Sequence, residues 1–408
     1  MPAKLKAGGG IYELIWETDK ILVRADRLSE DSRYNVHCEI AVKSTIPGLP
    51  EHIHQARVNL VSTTARRTLI RELEARASEL PWAGMVEELC VRVLNAYRQG
   101  EPLIQMAEHQ VSDSLAWRLA PLLEEGQSTV FYGQGETGKT WIALLLALGI
   151  AAPTAVVGFS PEPGNVLYLD YETRPDDIWH RLDMITNGLG ISIPDGFYYR
   201  RMLQSLAADT EVVQRYVIEK NISLVVVDSA ALAAMEPEKS EGATAYFQAL
   251  RSLRCTTLTV AHTEATGKQD RPFGSIFWRN IPRANFRFRS NSDAGSPELV
   301  VGIKQTKANN NRRMPDLGIS LKFDDNRVTF HRTNLLDVEE MADTQPLRDR
   351  ITHLLRHEAL SSAEIAEQLD HNPQLVRNAL SRGHHKIFTM LGEGGPSVKW
   401  GILQPETP

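Results

Sequence analysis

The chain has 408 residues, of which 42% are hydrophobic and 24% charged, a balance that excludes a mainly disordered protein and admits two or three domains. With 45 Lys and Arg against 51 Asp and Glu the net charge is −6, so any contact with nucleic acid must be local. Three scattered cysteines, Cys38, Cys90 and Cys255, exclude a disulfide scaffold and lack zinc-ligand spacing.

Met1-Pro-Ala-Lys-Leu-Lys has no apolar signal core, so a cytoplasmic chain without a membrane partner is expected. Residues 1–105 read as a small α+β domain. Short apolar runs at Ile11–Trp16, Ile21–Val23 and Ile40–Val42 predict strands. From Thr64 to about Gln99, Leu69, Leu73 and Leu80, then Met85, Leu89 and Val93, recur at helical spacing until Gly100 and Pro102 end the run. From Gln127 strand and helix alternate, which predicts an α/β core with a mainly parallel sheet over residues 106–333. Its strand candidates are Ser128–Tyr132, Asn165–Asp170, Leu224–Asp228 and Thr257–Ala261, extended by β-like runs at Ala284–Arg289, Glu298–Gln305 and Ile319–Phe323. Trp141 to Phe159 is nearly all apolar and about long enough to span a bilayer, but Pro153 and Gly158 interrupt it. It reads as a buried core helix. An acidic, polar linker is expected over 334–346 and a third unit over 347–408.

Gly133-Gln-Gly135-Glu136-Thr137-Gly138-Lys139-Thr140 matches the phosphate-loop pattern and stands between a predicted strand and a predicted helix. Such a loop curls backbone N–H groups around phosphates, adds the helix N-terminus, and places Lys139 as a point charge and the Thr140 hydroxyl on Mg²⁺. Leu224-Val-Val-Val-Asp228 is a buried-type strand ending in an acid suited to the same ion, or to capping the next helix. Val166-Leu-Tyr-Leu-Asp170-Tyr-Glu172 ends in two acids, of which Glu172 is the favoured base for the attacking water and Asp170 the alternative. ATP and Mg²⁺ are therefore the expected ligands. Thr306-Lys-Ala-Asn309 has half of a guanine-reading motif and lacks its Asp, so guanine specificity is unsupported.

Residues 112–330 resemble the RecA-like ATPases, and within them the RepA-type hexameric replicative helicases. The matching residues are Gly133–Thr140, Val166–Glu172, Val225–Asp228, Val260-Ala-His262-Thr, and Gly274-Ser275 followed by Arg283. The resemblance implies that Glu172 is the catalytic base, that His262 senses the γ-phosphate, and that Arg283 reaches a neighbouring subunit's ATP as a finger. It also implies roles for Arg181, about two turns after the glutamate, and for the late basic Lys307. Phe277-Trp278-Arg279 departs from the family's small residues, so Arg279 competes with Arg283. Arg181, Arg279, Arg283 and Lys307 are thus the candidates for action in trans, and a homo-oligomer, a hexamer, is expected. His262 and Arg181 also have plainer readings, as a strand-end histidine and a surface helix residue.

Residues 347–404 have the spacing of a winged helix: a helix Leu347–His357, a second at Ser361–Leu369, and a third at Gln374–Arg382 with Asn372 as cap and Pro373 at its start. A wing follows at Ile387–Leu391 and Val398–Leu403. Arg377, Arg382 and Lys386 gather on the third helix and the strand after it, which suits duplex DNA, although such domains also bind proteins. Lys268 and Arg271, in the loop after His262, are the candidates for single-stranded DNA in a channel. The expected function is a ring-forming, ATP-hydrolysing DNA helicase or translocase of a mobile element. The alternative is an ATP-switched DNA-binding regulator or loader without unwinding activity.

Overall fold

The computed structural model describes residues 2–8, 10–100, 105–106, 115–263, 271–291, 296–337, 345–392 and 398–403. They group into two compact units, one from residues 1–116, 204–223 and 245–255, the other from 117–203, 224–244 and 256–408.

Alternation of apolar and polar side chains builds the first unit. β1 (Lys4–Gly8), β2 (Ile11–Trp16), β3 (Ile21–Glu30), β4 (Val36–Ser44) and β5 (His52–Asn59) form an antiparallel sheet in chain order. In β4 every second residue, Val36, Cys38, Ile40, Val42 and Ser44, points inward. α1 (Thr63–Glu74), capped by Ser62, and α2 (Trp82–Gln99) bury Leu69, Leu73, Trp82, Met85, Leu89 and Val93 in the same core. β1 and β5 go beyond the sequence reading, because β1 is mostly exposed and β5 buries only Ile53 and Val58. Arg215, from a later helix of this unit, donates to Asp26 Oδ2 at 2.7 Å.

The second unit opens with β6 (Trp117–Leu119) and β7 (Leu123–Glu124). Then come β8 (Ser128–Gly133), α3 (Lys139–Ala151), β9 (Asn165–Asp170), α4 (Pro175–Leu189), β10 (Phe197–Arg201), α5 (Leu206–Glu219), β11 (Ile222–Asp228), α6 (Ala230–Ala233), α7 (Ser240–Ser252) and β12 (Thr256–His262). α5 and the later part of α7 count with the first unit. α8 (Phe277–Asn280), β13 (Ala284–Asn291), β14 (Glu298–Ala308), β15 (Leu317–Asp324) and β16 (Arg327–Thr333) complete the sheet. Its order is β10-β9-β11-β12-β8-β13-β14-β15-β16. β8 runs parallel to β12 and β13, and β14, β15 and β16 extend the far side antiparallel. The unit is therefore α/β with a large, mainly parallel sheet.

α3 is buried from Ile142 to Ile150, which is why its sequence is apolar on every face. Each such Leu or Ile contributes about 1.5–3 kcal/mol by leaving water. At 13 residues it is short for a bilayer, and among the described residues no helix is long and apolar enough to cross a membrane.

α9 (Leu347–His357), β17 (Leu360–Ser361), α10 (Ser362–Gln368), α11 (Pro373–Gly383), β18 (Phe388–Leu391) and β19 (Lys399–Ile402) end the chain's ordered elements among the described residues, with strand order β17-β19-β18. Local chemistry sets the helix starts. Ser361 and Glu364 form a reciprocal capping box, and Asn372 accepts from Gln374 N at 2.8 Å ahead of Pro373. Ile351, Leu355, Ile365, Val376, Leu380 and Phe388 close a separate small core.

Candidate functional site

The site lies where β8, β9, β11 and β12 end, the carboxyl edge at which open α/β sheets bind ligands. The loop after β8 needs two of its glycines for distinct reasons. A Cβ on Gly133 would stand 2.6 Å from Phe288 O of β13, and Gly138 holds φ +77° with Val301 packed against it. Glu136 also lies in the left-handed region, at φ +61°. The loop folds over Lys139, whose Nζ donates to Gly133 O at 3.1 Å, to Thr137 Oγ1 at 3.1 Å and to Gln134 O. These partners are neutral. Burial pulls the Lys139 ammonium down to about 8, with Asp228 and Glu172 acting the other way. A buried cation held by carbonyls is suited to take phosphate oxygens.

Thr140 Oγ1 donates to Asp228 Oδ2 at 2.7 Å, and the buried Tyr168 hydroxyl donates to the same oxygen at 2.6 Å. Burial pushes the Asp228 carboxyl up, and these two donors oppose it. Thr140 and Asp228 form an oxygen pair that fits magnesium bound beside the phosphates.

Asp170 is not placed as a free base. It is buried, and its oxygens accept from Glu172 N and Thr173 N at 3.0 Å each, from Thr173 Oγ1 at 2.6 Å and from Tyr199 OH at 3.0 Å. It shapes the turn that presents Glu172. Glu172 Oε1 accepts from Ser229 Oγ and lies 3.6 Å from His262 Nε2. His262, first among the causes, and Ser229 hold the Glu172 carboxyl below its ordinary range against burial.

One cavity of about 330 Å³ is lined by Glu136, Thr137, Gly138, Lys139, Thr140, Glu172, Asp228 and His262 together. Arg181, grouped on sequence with the residues expected to act in trans, lines the cavity of its own chain, its guanidinium 5.8 Å from the Trp141 ring centre. Arg279, Arg283 and Lys307 come together elsewhere. Arg283 N bonds Ser128 O at the start of β8, and Lys307 Nζ donates to Asn280 O and Pro282 O at 2.6 Å each. Burial, then Arg283 and Arg279, lower the Lys307 ammonium. β8 separates that cluster from Gly133 by about five residues, roughly 17 Å of strand.

Beyond His262, Phe273 N bonds His262 O at 2.8 Å, which places Phe273 beside the strand end. Arg271 is described and half-buried, whereas Lys268 lies outside the described residues. On α11, Arg377 and Arg382 are exposed, as is Lys386 after it. The sequence reading missed Ser229 and Tyr168. Each had a signal: Ser229 directly follows Asp228, and Tyr168 shares a strand face with Asp170.

Residues 105–268 match the family model of the AAA domain. A search of curated proteins finds no match to the chain. The matched segment and the mostly parallel sheet fit a RecA-like P-loop ATPase, a class that binds nucleotide, usually with Mg²⁺.

Proposed function

We propose that this chain is a ring-forming, ATP-driven DNA helicase or translocase. The observation that carries the proposal is the position of Arg279, Arg283 and Lys307. They gather at the start of β8, whereas the phosphate loop opens from its end. In this geometry the cluster serves a neighbouring copy's nucleotide.

Hydrolysis follows from the residues in the cavity. Lys139 and the loop amides bind the β- and γ-phosphates and offset the charge that grows on the departing ADP. Thr140 and Asp228 would hold magnesium, which would supply further charge neutralisation to the phosphates. Glu172 takes a proton from water as its oxygen attacks the γ-phosphorus and the bond to the bridging β-phosphate oxygen breaks, giving ADP and inorganic phosphate. A guanidinium donated at that moment is worth about 10³–10⁵ in rate. His262 touches Glu172, and its carbonyl holds Phe273, so loss of the γ-phosphate is passed to the loop containing Lys268 and Arg271. That loop is proposed to hold single-stranded DNA. α11 is proposed to hold duplex, since its exposed face presents Gln374, Arg377, Asn378, Ser381 and Arg382 and no acid.

Mixing Lys139→Ala with Arg283→Ala subunits tests the trans arrangement. Each alone is inactive, and the mixture regains ATPase activity where an intact cavity meets an intact arginine; no recovery overturns it. DNA-stimulated ATPase with strand displacement, and rings by mass photometry, are the expected companions. ATP-dependent residence on duplex without displacement would mark a switch instead of a motor.

A further inference from the structure

Arg279 and Arg283 stand on backbone that cannot hold its own shape. Arg279 belongs to α8, which is four residues long, and Arg283 to the turn between α8 and β13. A single helical turn is not stable in isolation, and its last carbonyls need partners from outside. Two side chains supply them. Asn285 Nδ2 of β13 donates to Arg279 O at 3.2 Å, and Lys307 Nζ of β14 donates to Asn280 O and Pro282 O at 2.6 Å each. Asn285 and Lys307 lie directly opposite each other in the β13–β14 ladder, so one rung of the sheet clamps three carbonyls of the turn. The front of α8 is fixed separately: Ser275 N and the buried Trp278 indole Nε1 both donate to Pro237 O, at 2.9 and 3.1 Å. Arg283 N donates to Ser128 O at 2.9 Å, and Arg283 O accepts from Asn309 N at 3.2 Å. The backbone is thus tied down on every side, while Arg279 and Arg283 themselves are exposed.

The family resemblance implies for Lys307 a place at a neighbour's phosphates. Resting on the trans reading above, we infer instead that Lys307 is a positioning residue: with Asn285 it fixes the turn from which Arg279 and Arg283 reach the neighbour's nucleotide. Two of the three donors on its ammonium are committed to carbonyls of its own chain. A lysine near a helix C-terminus is well placed for this, because the carbonyls there carry partial negative charge. Lys307 is also half-buried, and burial, then Arg283 and Arg279, lower its ammonium. A third cation beside two arginines is unfavourable by itself, and the two carbonyls offset that cost. Fixing the turn matters for rate, because a group displaced by about 1 Å from where the transition state needs it can lose about 10²-fold.

ATP hydrolysis and amide hydrogen exchange, measured on the full chain and on its Lys307→Met, Asn285→Ala and Arg279→Ala/Arg283→Ala variants, test this. Lys307→Met lowers kcat by about tenfold to a hundredfold with the KM for ATP unchanged, and Asn285→Ala does the same. Added to Arg279→Ala/Arg283→Ala, Lys307→Met costs nothing further in single-turnover hydrolysis, because it acts only through those arginines. Amides over residues 277–285 exchange faster in Lys307→Met than in the parent chain, while melting is unchanged. Direct contact of Lys307 with a neighbour's phosphate gives the opposite results: a raised KM, a further tenfold fall in the arginine-free chain, and unaltered exchange over 277–285. Any of these overturns the inference, as does a Lys307→Met or Asn285→Ala chain as active as the parent. Undiminished hydrolysis in Arg279→Ala/Arg283→Ala is a different result, and overturns the trans reading itself.

Discussion

Thr140 and Asp228 stand 88 residues apart in sequence and share a 2.7 Å hydrogen bond, the threonine hydroxyl donating to Asp228 Oδ2. The contact ties the first turn of α3 to the end of β11. With the Tyr168 hydroxyl on the same oxygen, it fixes a carboxylate that burial alone would push towards its neutral form. Asp228→Asn keeps the shape and removes the charge. ATPase activity is expected to fall by at least about a hundredfold, with a raised Mg²⁺ requirement, measured by phosphate release over a magnesium titration.

Glu172→Gln is expected to lower kcat by about 10²–10⁴ while nucleotide still binds, as measured by single-turnover hydrolysis and fluorescence titration. The pH dependence follows from the groups around it. His262 and Ser229 favour the ionised form, so the base stays deprotonated to lower pH than an ordinary glutamate and loses its function only as pH falls through that depressed value. His262→Ala or Ser229→Ala moves the acid limb of kcat to higher pH.

Lys139 is stabilising for function and costly for the fold. Its ammonium is held down to about 8 by burial, against an ordinary value of 10.5. Between those values the unfolded chain binds more protons, so this residue makes stability rise with pH there, and its penalty is full below about 8. Lys139→Met is expected to stabilise the nucleotide-free protein at neutral pH by on the order of 2 kcal/mol and to abolish ATP binding. Denaturant unfolding at pH 7 and pH 10 checks both the gain and its disappearance.

Gly133→Ala places a methyl group 2.6 Å from the Phe288 carbonyl oxygen of β13, which is backbone and cannot swing aside. A loss of about 1–3 kcal/mol is expected from the forced shift between β8 and β13, seen as a lower Tm.

Arg377→Ala and Arg382→Ala alter exposed side chains on α11 and leave its core residues Val376 and Leu380 in place. Melting is expected to be unchanged. Each substitution weakens duplex binding and reduces the salt slope of log K by about one, read from anisotropy titrations at several salt concentrations.

The sequence by itself determined what is written in local spacing. Gly133 to Thr140 between a strand and a helix announces a phosphate loop, because that function needs only contiguous backbone and one lysine. Apolar runs ending in Asp170 and Asp228 announce buried strands, and Ser361 and Asn372 announce helix starts, since a cap acts within one turn. Tertiary structure decided which distant side chains meet. Glu172 stands free of the strand because Asp170 is consumed by the turn and by Tyr199, and Ser229 and His262 reach Glu172 only once β11 and β12 lie side by side. Arg181 turned to its own chain's cavity, while Arg283 and Lys307 met at the other end of β8. Periodicity tells which face a residue takes, but the order of strands in a sheet is set by crossovers that no short window of sequence contains.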